Sequence, residues 1–253
     1  MISIVIVNFN TPEHTADCIN SILSSNITHL TYEIICIENN NDSNSFDFNN
    51  KVRTLSLGKN CGYSRALNYG ISKSKYEYIL VVNPDVLVND SSINVLLDYY
   101  TNNKVGIIGP MIKNIDNTFQ LSSRRRFPFI SYVLPYLFRL HKIGFLNLYN
   151  YENLPNDQIS KVDSISGAFM LFSRDIYKKI GNFDERFFLY FEDTDFCIRC
   201  SSLGYDVLYY PLANVKHHKY ASTNYKNYLF VNFQFYKSFF KFYYKYLNYY
   251  LKF

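Results

Sequence analysis

"ISIVIVNFN", residues 2–10, is a charge-free run dominated by β-branched side chains that closes on two asparagines. Without polar alternation, it reads as a strand buried on both faces, as in a parallel sheet. Thr11-Pro12-Glu13 then supplies an N-cap, a proline at the first helical position and an acid in the first turn, and Ile19, Ile22 and Leu23 continue at helical spacing. A buried strand feeding a helix predicts an α/β chain, provided that the unit repeats.

It repeats. "YEIICIEN" (32–39) and "VRTLSL" (52–57) read as strands, "GYSRALNYGISKS" (62–74) as a helix and "YEYILVVNPD" (76–85) as another strand. The alternation predicts a mostly parallel central sheet with helices on both faces. Ligands of open α/β sheets bind beyond the carboxyl ends of the strands. Polar residues collect at those ends: Asn8 and Asn10, Glu38 and Asn39, Asn60 in the next connection, then Asn83 and Asp85. No GxGxxG or GxxxxGK[ST] loop follows the first strand, which argues against a dinucleotide or P-loop enzyme.

Beyond Tyr100 the pattern loosens. "VGIIGPMI" (105–112) reads as a short strand broken by Pro110, and residues 120–146 are basic, then aromatic. Residues 147–160 read as a loop, and residues 161–187 as a strand, a short helix and a turn at Gly181-Asn182. "EDTDFCIRCSSLG" (192–204) is predicted to be a helix that stops at Gly204, with acids in its first turn. "YDVLYYP" (205–211) is the expected last strand.

The 253 residues, 48% of them apolar, are enough for one large α/β domain. Five scattered cysteines and no basic-then-apolar leader predict a reducing, cytoplasmic setting. The net charge of +5 sits in the tail, since residues 1–224 balance 21 basic against 21 acidic side chains. No nucleic-acid partner is expected of this neutral body. Residues 225–253 are more than half Tyr and Phe, and Lys237, Lys241 and Lys245 recur every four positions along one side of an expected helix. Such a helix suits the headgroup plane of a membrane, or else packs on the domain or on a second copy of the chain.

Glu192, Asp193 and Asp195 crowd into an apolar stretch. Asp195 and Arg199 have the spacing of a helical ion pair worth only about 0.3–0.5 kcal/mol. Of the adjacent Glu192 and Asp193, one is a candidate general base, because apolar walls and a neighbouring acid disfavour the charged form. Asp85 either caps a turn or holds a hard divalent cation, and His217, beyond the last strand, is either a surface residue or its partner. Cys197 and Cys200 read as core thiols, and Arg124 to Arg126 as a solvated patch or a diphosphate clamp.

The stretches "SIVIVNFN", "NCGYSRALNYGI", "YILVVNPDV", "SSRRRFP", "VDSISGAFMLFSR", "GNFDERFFLYFEDTDFCIRCSSLGYDVLYYP" and "VKHH" run in this order from residue 3 to about 222. Together the sequence resembles the family 2 glycosyltransferases of the GT-A (Rossmann-like) fold, most closely the bacterial rhamnosyltransferase branch. The resemblance implies a glycosyltransferase domain over 1–224, with a nucleotide-binding half at about 1–110 and an acceptor half at about 111–224. It also implies roles. Asn8, Asn10 and Glu38 would line the nucleotide pocket, and Asn60, Arg65 and Asn68 would lie near the ribose and diphosphate. Asp85 and His217 would hold Mg²⁺ or Mn²⁺, and Asn83, standing where relatives carry a second acid, would contact the donor. Gly167 and Ala168 would sit beside the donor sugar, Asp193 would be the base, and Glu192, Arg124 and Arg125 would contact acceptor or diphosphate. The expected reaction is inverting transfer of a sugar, L-rhamnose from dTDP-L-rhamnose by preference, to a glycan or polyprenyl-diphosphate-linked acceptor at the inner face of the cytoplasmic membrane. A UDP-sugar donor or a non-catalytic sugar-nucleotide-binding module are the alternatives.

Overall fold

The opening run is a strand, β1 (Ile2–Asn8), with all seven residues buried. Ile2, Ile4 and Ile6 join one apolar cluster, whereas Val5 and Val7 join another on the opposite face of the sheet. Successive side chains of a strand point to opposite faces, so a doubly covered strand has no place for polar alternation. Each fully buried isoleucine is worth about 1.5–3 kcal/mol.

The computed structural model describes residues 1–27, 29–40, 51–129, 131–133, 148–218 and 228–247. The helix α1 (Pro12–Ser24) leads to β2 (Tyr32–Glu38) and β3 (Val52–Ser56), and α2 (Tyr63–Lys73) leads to β4 (Tyr78–Val82). These four strands are mutually parallel in the order β3-β2-β1-β4. Then follow β5 (Val86–Val88), α3 (Ser92–Asn102), β6 (Ile107–Lys113), and the short strands β7 (Arg124–Arg125), β8 (Ser160–Lys161) and β9 (Ser164–Ile165). The chain continues through β10 (Phe169–Ser173), α4 (Arg174–Ile180), α5 (Glu192–Ser202), β11 (Val207–His217) and α6 (Tyr228–Lys245).

The main sheet extends from β4 through β10, β6 and β11 to β5, with β8 beside β11, while β7 and β9 pair separately. Side chains of α1 and α3 cover one face, and those of α2, α4 and α5 the other. The parallel run ends at β10, which is antiparallel to both β4 and β6. Because β10 runs against β4, its first residues lie where β4 ends, and Asn83 N–H donates to the Ala168 carbonyl at 2.8 Å. The sheet therefore delivers Gly167 and Ala168 to the same rim as Asn83 and Asp85.

Three local expectations are corrected. Pro110 does not break its strand: β6 runs through it, because the β6–β11 ladder shifts register between Tyr210 and Asn214, opposite Pro110. A bulge is where a residue without an N–H is tolerated inside a sheet. For the same reason β11 does not stop at Pro211 but continues to His217. The tail lysines do not share one free face. Of Lys237, Lys241 and Lys245 only the first is exposed, while Lys241 donates to the Arg186 carbonyl at 2.6 Å and Lys245 bridges Asp184 and Asp195.

Helix α6 instead packs on the domain. Phe242 is fully buried with Phe127, Phe187, Phe191 and Ile198, and Ser238 Oγ donates to the Leu189 carbonyl at 2.8 Å. The opposite side of the same helix carries exposed Leu229, Phe233, Tyr236, Phe240 and Tyr244, continued by Leu247 just past its end. At 100° per residue these six fall within one stripe. Among the described residues no helix is long and apolar enough to cross a membrane.

Candidate active site

Antiparallel pairing of β5 with β11 sets His217 opposite Val86, one residue beyond Asp85. His217 Nε2 meets Asp85 Oδ1 at 3.0 Å, and the backbone N–H of His218 donates to the Asp85 carbonyl at 2.8 Å. His217 Nδ1 lies 3.1 Å from Gln120 Oε1, and the Gln120 amide nitrogen donates to Ser122 Oγ at 2.9 Å. An amide turned this way presents its oxygen to the ring, where Nδ1 can donate to it, and Nε2 is the nitrogen that faces Asp85.

This pair fits a hard divalent ion. Two adjacent ligands, each about 2.1 Å from an octahedral cation, lie about 3 Å apart. Among the described residues no group of three or more His, Cys, Asp or Glu side chains could hold an ion. A cation here would complete its shell with water or substrate phosphate, which suits Mg²⁺ or Mn²⁺.

Further polar groups follow on the Asp85 turn. Asn83, on the same turn, accepts a hydrogen bond at Oδ1 from the Tyr63 hydroxyl at 2.7 Å, and that hydroxyl lies 3.4 Å from the Gly167 carbonyl. Gly167 N–H donates to Asp193 Oδ2 at 2.9 Å, and Arg125 pairs with the same oxygen at 2.6 Å. Thr194 N–H holds Oδ1 at 2.7 Å. A Cβ at Gly167 would stand 3.0 Å from the Asp193 Cβ, so glycine permits this approach. The Tyr63 hydroxyl is pushed well above its ordinary range by burial and by the charges of Glu192, Asp193 and Asp85, and therefore stays protonated.

Glu192 is buried, and its Oε2 has no hydrogen-bond partner among the described residues. Burial, then the charge of Asp193, push its carboxyl up to about 8. Directly before it, Tyr190 and Phe191 both hold left-handed backbone conformations, φ 69° and 68°. Such conformations cost on the order of 1–3 kcal/mol each and persist where the surroundings enforce them. Here Phe235 and Phe239 of α6 pack on Phe191, and Phe235 also on Tyr190.

At the ends of β1 and β2, Asn8 Nδ2 donates to both oxygens of Glu38, at 3.1 and 2.8 Å, and Asn8 Oδ1 accepts from the Thr11 N–H and hydroxyl. Glu38 has no exposed surface, and burial raises its carboxyl pKa against the opposing pull of Asn8. Asn10 is exposed, in a left-handed conformation, and accepts from Asn40 at 3.2 Å. Asn39 ties this strand end to Asn60 and to the turn at Cys61-Gly62. Gly62, with φ 87° and Phe188 against its α-carbon, starts α2 and so delivers Tyr63.

Three of the expected residues have partners within the protein itself. Arg124 alternates with Arg125 on a two-residue strand and so points away from Asp193. It is fully buried, donates to the Leu154 and Pro155 carbonyls and to Asn156, and lies 4.7 Å from the Tyr209 ring centre. Arg65 is largely exposed and faces Glu185 at 3.6 Å. Asn68 fixes the Phe183 backbone from both sides. Conversely, sequence reading overlooked Gln120 and Tyr63. Neither carries a local signal, because their importance comes from partners 97 and 20 positions away.

A mixed sheet with its polar residues gathered at one rim defines a GT-A-type transferase fold. Residues 3–181 match the family described as Glycosyl transferase family 2, and the chain belongs to that family. It is 31% identical over 195 residues to the N-acetylglucosaminyl-diphospho-decaprenol L-rhamnosyltransferase of Mycobacterium tuberculosis, covering 68% of this chain and 60% of that protein. Rhamnosyltransferase WbbL of Escherichia coli is 24% identical over 164 residues, 62% of this chain and 60% of that one. The chain thus spans about 60% of the length of these curated relatives. Among solved structures, GalNAc-T7 with UDP, GalNAc and Mn²⁺ superposes with a TM-score of 0.68 at 16% identity, over 86% of this chain and 43% of that one. Staphylococcus aureus TarS gives 0.61 at 12% identity, over 86% and 36%.

Proposed function

We propose that this chain is an inverting glycosyltransferase that moves L-rhamnose from dTDP-L-rhamnose to a glycan or lipid-diphosphate-linked saccharide in bacterial surface-polysaccharide synthesis. One observation carries the reading: His217 pairs with Asp85, and Asn83, on the Asp85 turn, begins a hydrogen-bonded path through Tyr63 and Gly167 to Asp193 and Arg125. This supports a candidate cation-binding pair and a candidate base acting on one bound donor. Relatives named as L-rhamnosyltransferases, one of them for a lipid-diphosphate-linked N-acetylglucosaminyl acceptor, support the choice of sugar and acceptor.

In this reading Asp193 takes the proton of the acceptor hydroxyl as that oxygen attacks the anomeric carbon. Arg125, Gly167 N–H and Thr194 N–H hold the carboxylate in one orientation, and the buried neighbourhood of Glu192 and Phe191 keeps water out. Asn8, Asn10 and the Asn39–Asn60 clamp shape the nucleotide side, with Glu38 fixed behind Asn8. A divalent ion on Asp85 and His217 would supply charge neutralisation of the departing diphosphate.

Residues 1–224 act as the transferase domain, and α6 is the element that meets the membrane carrying the acceptor. Its exposed aromatic stripe, flanked by Lys237, supports a peripheral position at the inner surface. Replacing Phe233 and Phe240 by serine should abolish sedimentation with anionic vesicles. Unchanged sedimentation refutes the membrane role, and a loss of dimer mass instead assigns the stripe to a second copy of the chain.

The transferase reading is tested by incubating the protein with dTDP-L-rhamnose or UDP-hexoses and Mn²⁺ and following nucleoside diphosphate release. Asp193→Asn should lower turnover about 10²–10⁴-fold with donor binding retained. Near-normal turnover in that variant removes Asp193 from the role, and no release from any donor favours a binding module.

A further inference from the structure

Asn83 stands where the resembling family carries a second acid. Its surroundings specify what the amide does instead. The backbone N–H donates to the Ala168 carbonyl at 2.8 Å, and the backbone carbonyl accepts from Val86 N–H at 3.3 Å and from Cys18 Sγ at 3.5 Å. The side-chain oxygen accepts from the Tyr63 hydroxyl at 2.7 Å. That separation is the usual one for a hydroxyl that donates to an oxygen. Only Nδ2, with two hydrogens, is left without a partner among the described residues, on a half-buried side chain one proline away from Asp85.

Tyr63 is itself immobilised. Its N–H donates to the Phe188 carbonyl at 2.8 Å, and Gly62 before it is clamped by Asn60 and Asn39. The charges of Asp193 and Asp85, both acceptors, act on its hydroxyl. A phenol among carboxylates keeps its proton and donates, so it holds the amide oxygen rather than the amide nitrogen.

We propose that Tyr63 is a positioning residue that fixes the Asn83 carboxamide as a hydrogen-bond donor to the nucleoside diphosphate portion of the donor, in place of a second metal-binding carboxylate. The inference rests on the proposed nucleotide-sugar function and deepens it. With its oxygen engaged and its nitrogen unable to ligate a hard cation, Asn83 adds nothing to the ion's shell. It offers two N–H groups to an anionic or hydroxyl oxygen beside the Asp85 turn. The chain thus holds its nucleotide in part without metal.

Calorimetry with dTDP and with UDP, each with and without Mn²⁺, tests this. Tyr63→Phe and Asn83→Ala should each weaken binding about 10-fold, the worth of one well-placed hydrogen bond, by the same factor in both metal conditions. Residues acting through one another give non-additive double mutants, so the double variant should bind no more weakly than Asn83→Ala alone. Asn83→Asp should weaken metal-free binding and strengthen the dependence on Mn²⁺. Wild-type affinity in Tyr63→Phe, or fully additive losses, overturns the pairing. Loss confined to the Mn²⁺ condition overturns the donor role of the amide. A wild-type protein that binds neither nucleotide overturns the proposed function, and the pair with it.

Discussion

Asp85 and His217 are 132 positions apart in the chain, yet Oδ1 of one and Nε2 of the other stand 3.0 Å apart, because β5 and β11 are paired antiparallel at the edge of the sheet. The Gln120 carboxamide holds the other nitrogen of the histidine ring at 3.1 Å. Gln120→Leu is expected to lower the affinity for Mn²⁺ in the presence of nucleoside diphosphate by about 10–100-fold, as other losses of an orienting partner do. Calorimetric titration measures it, and an unchanged affinity would show that the ring needs no such support.

The glycine at 167 gives a second expectation. Gly167→Ala places a methyl group 3.0 Å from the Asp193 Cβ and 3.4 Å from Oδ2. A displacement of this size is expected to cost about 10–100-fold in turnover, with nucleotide affinity within about 3-fold. If nucleotide binding falls as steeply as turnover, the residue belongs to the nucleotide pocket rather than to the base.

Glu192 should leave a mark on the pH dependence of stability. Its carboxyl is raised to about 8 in the folded protein by burial and by Asp193, from an ordinary value of 4.5. Between those values the folded state holds a proton that the unfolded state has released, so stability falls as pH rises through this window. Glu192→Gln removes the contribution. The variant should gain on the wild type between pH 5 and about 8, as followed by urea denaturation. Parallel curves would mean that Glu192 is ionised throughout.

Asp195 has no exposed surface and is held by Arg199 at 2.9 Å, by the Tyr246 hydroxyl at 2.8 Å and by Lys245. Lys245→Met is expected to destabilise the protein by about 1.5–3 kcal/mol, the range for a hydrogen bond to a charged group. A change below about 0.5 kcal/mol in denaturant unfolding would mean that Arg199 and Tyr246 suffice.

The sequence carried the parallel half of the fold openly. The β-branched runs at 2–8 and 32–38 and the proline after Thr11 report local geometry, and each became the expected strand or helix start. It also brought forward Asp85, Asp193 and His217, which the structure gathers at one rim. What it concealed depends on distant partners. Pro110 reads as a break until its bulge is known, and Arg124 reads like Arg125 until strand alternation separates them. The pair Asp195 and Arg199 looked like a weak surface contact. The i,i+4 spacing says nothing of the lysine and tyrosine that arrive from fifty residues further on.

Tyr190 and Phe191 hold their left-handed turn beneath the rings of α6. A shortened protein ending before that helix would release both residues into ordinary backbone conformations and swing Glu192 and Asp193 out of register. Inactivity of such a fragment would then reflect a misdirected carboxylate, whatever the outer surface of the helix touches. The outward-facing rings have to be probed one by one, with the helix left in place.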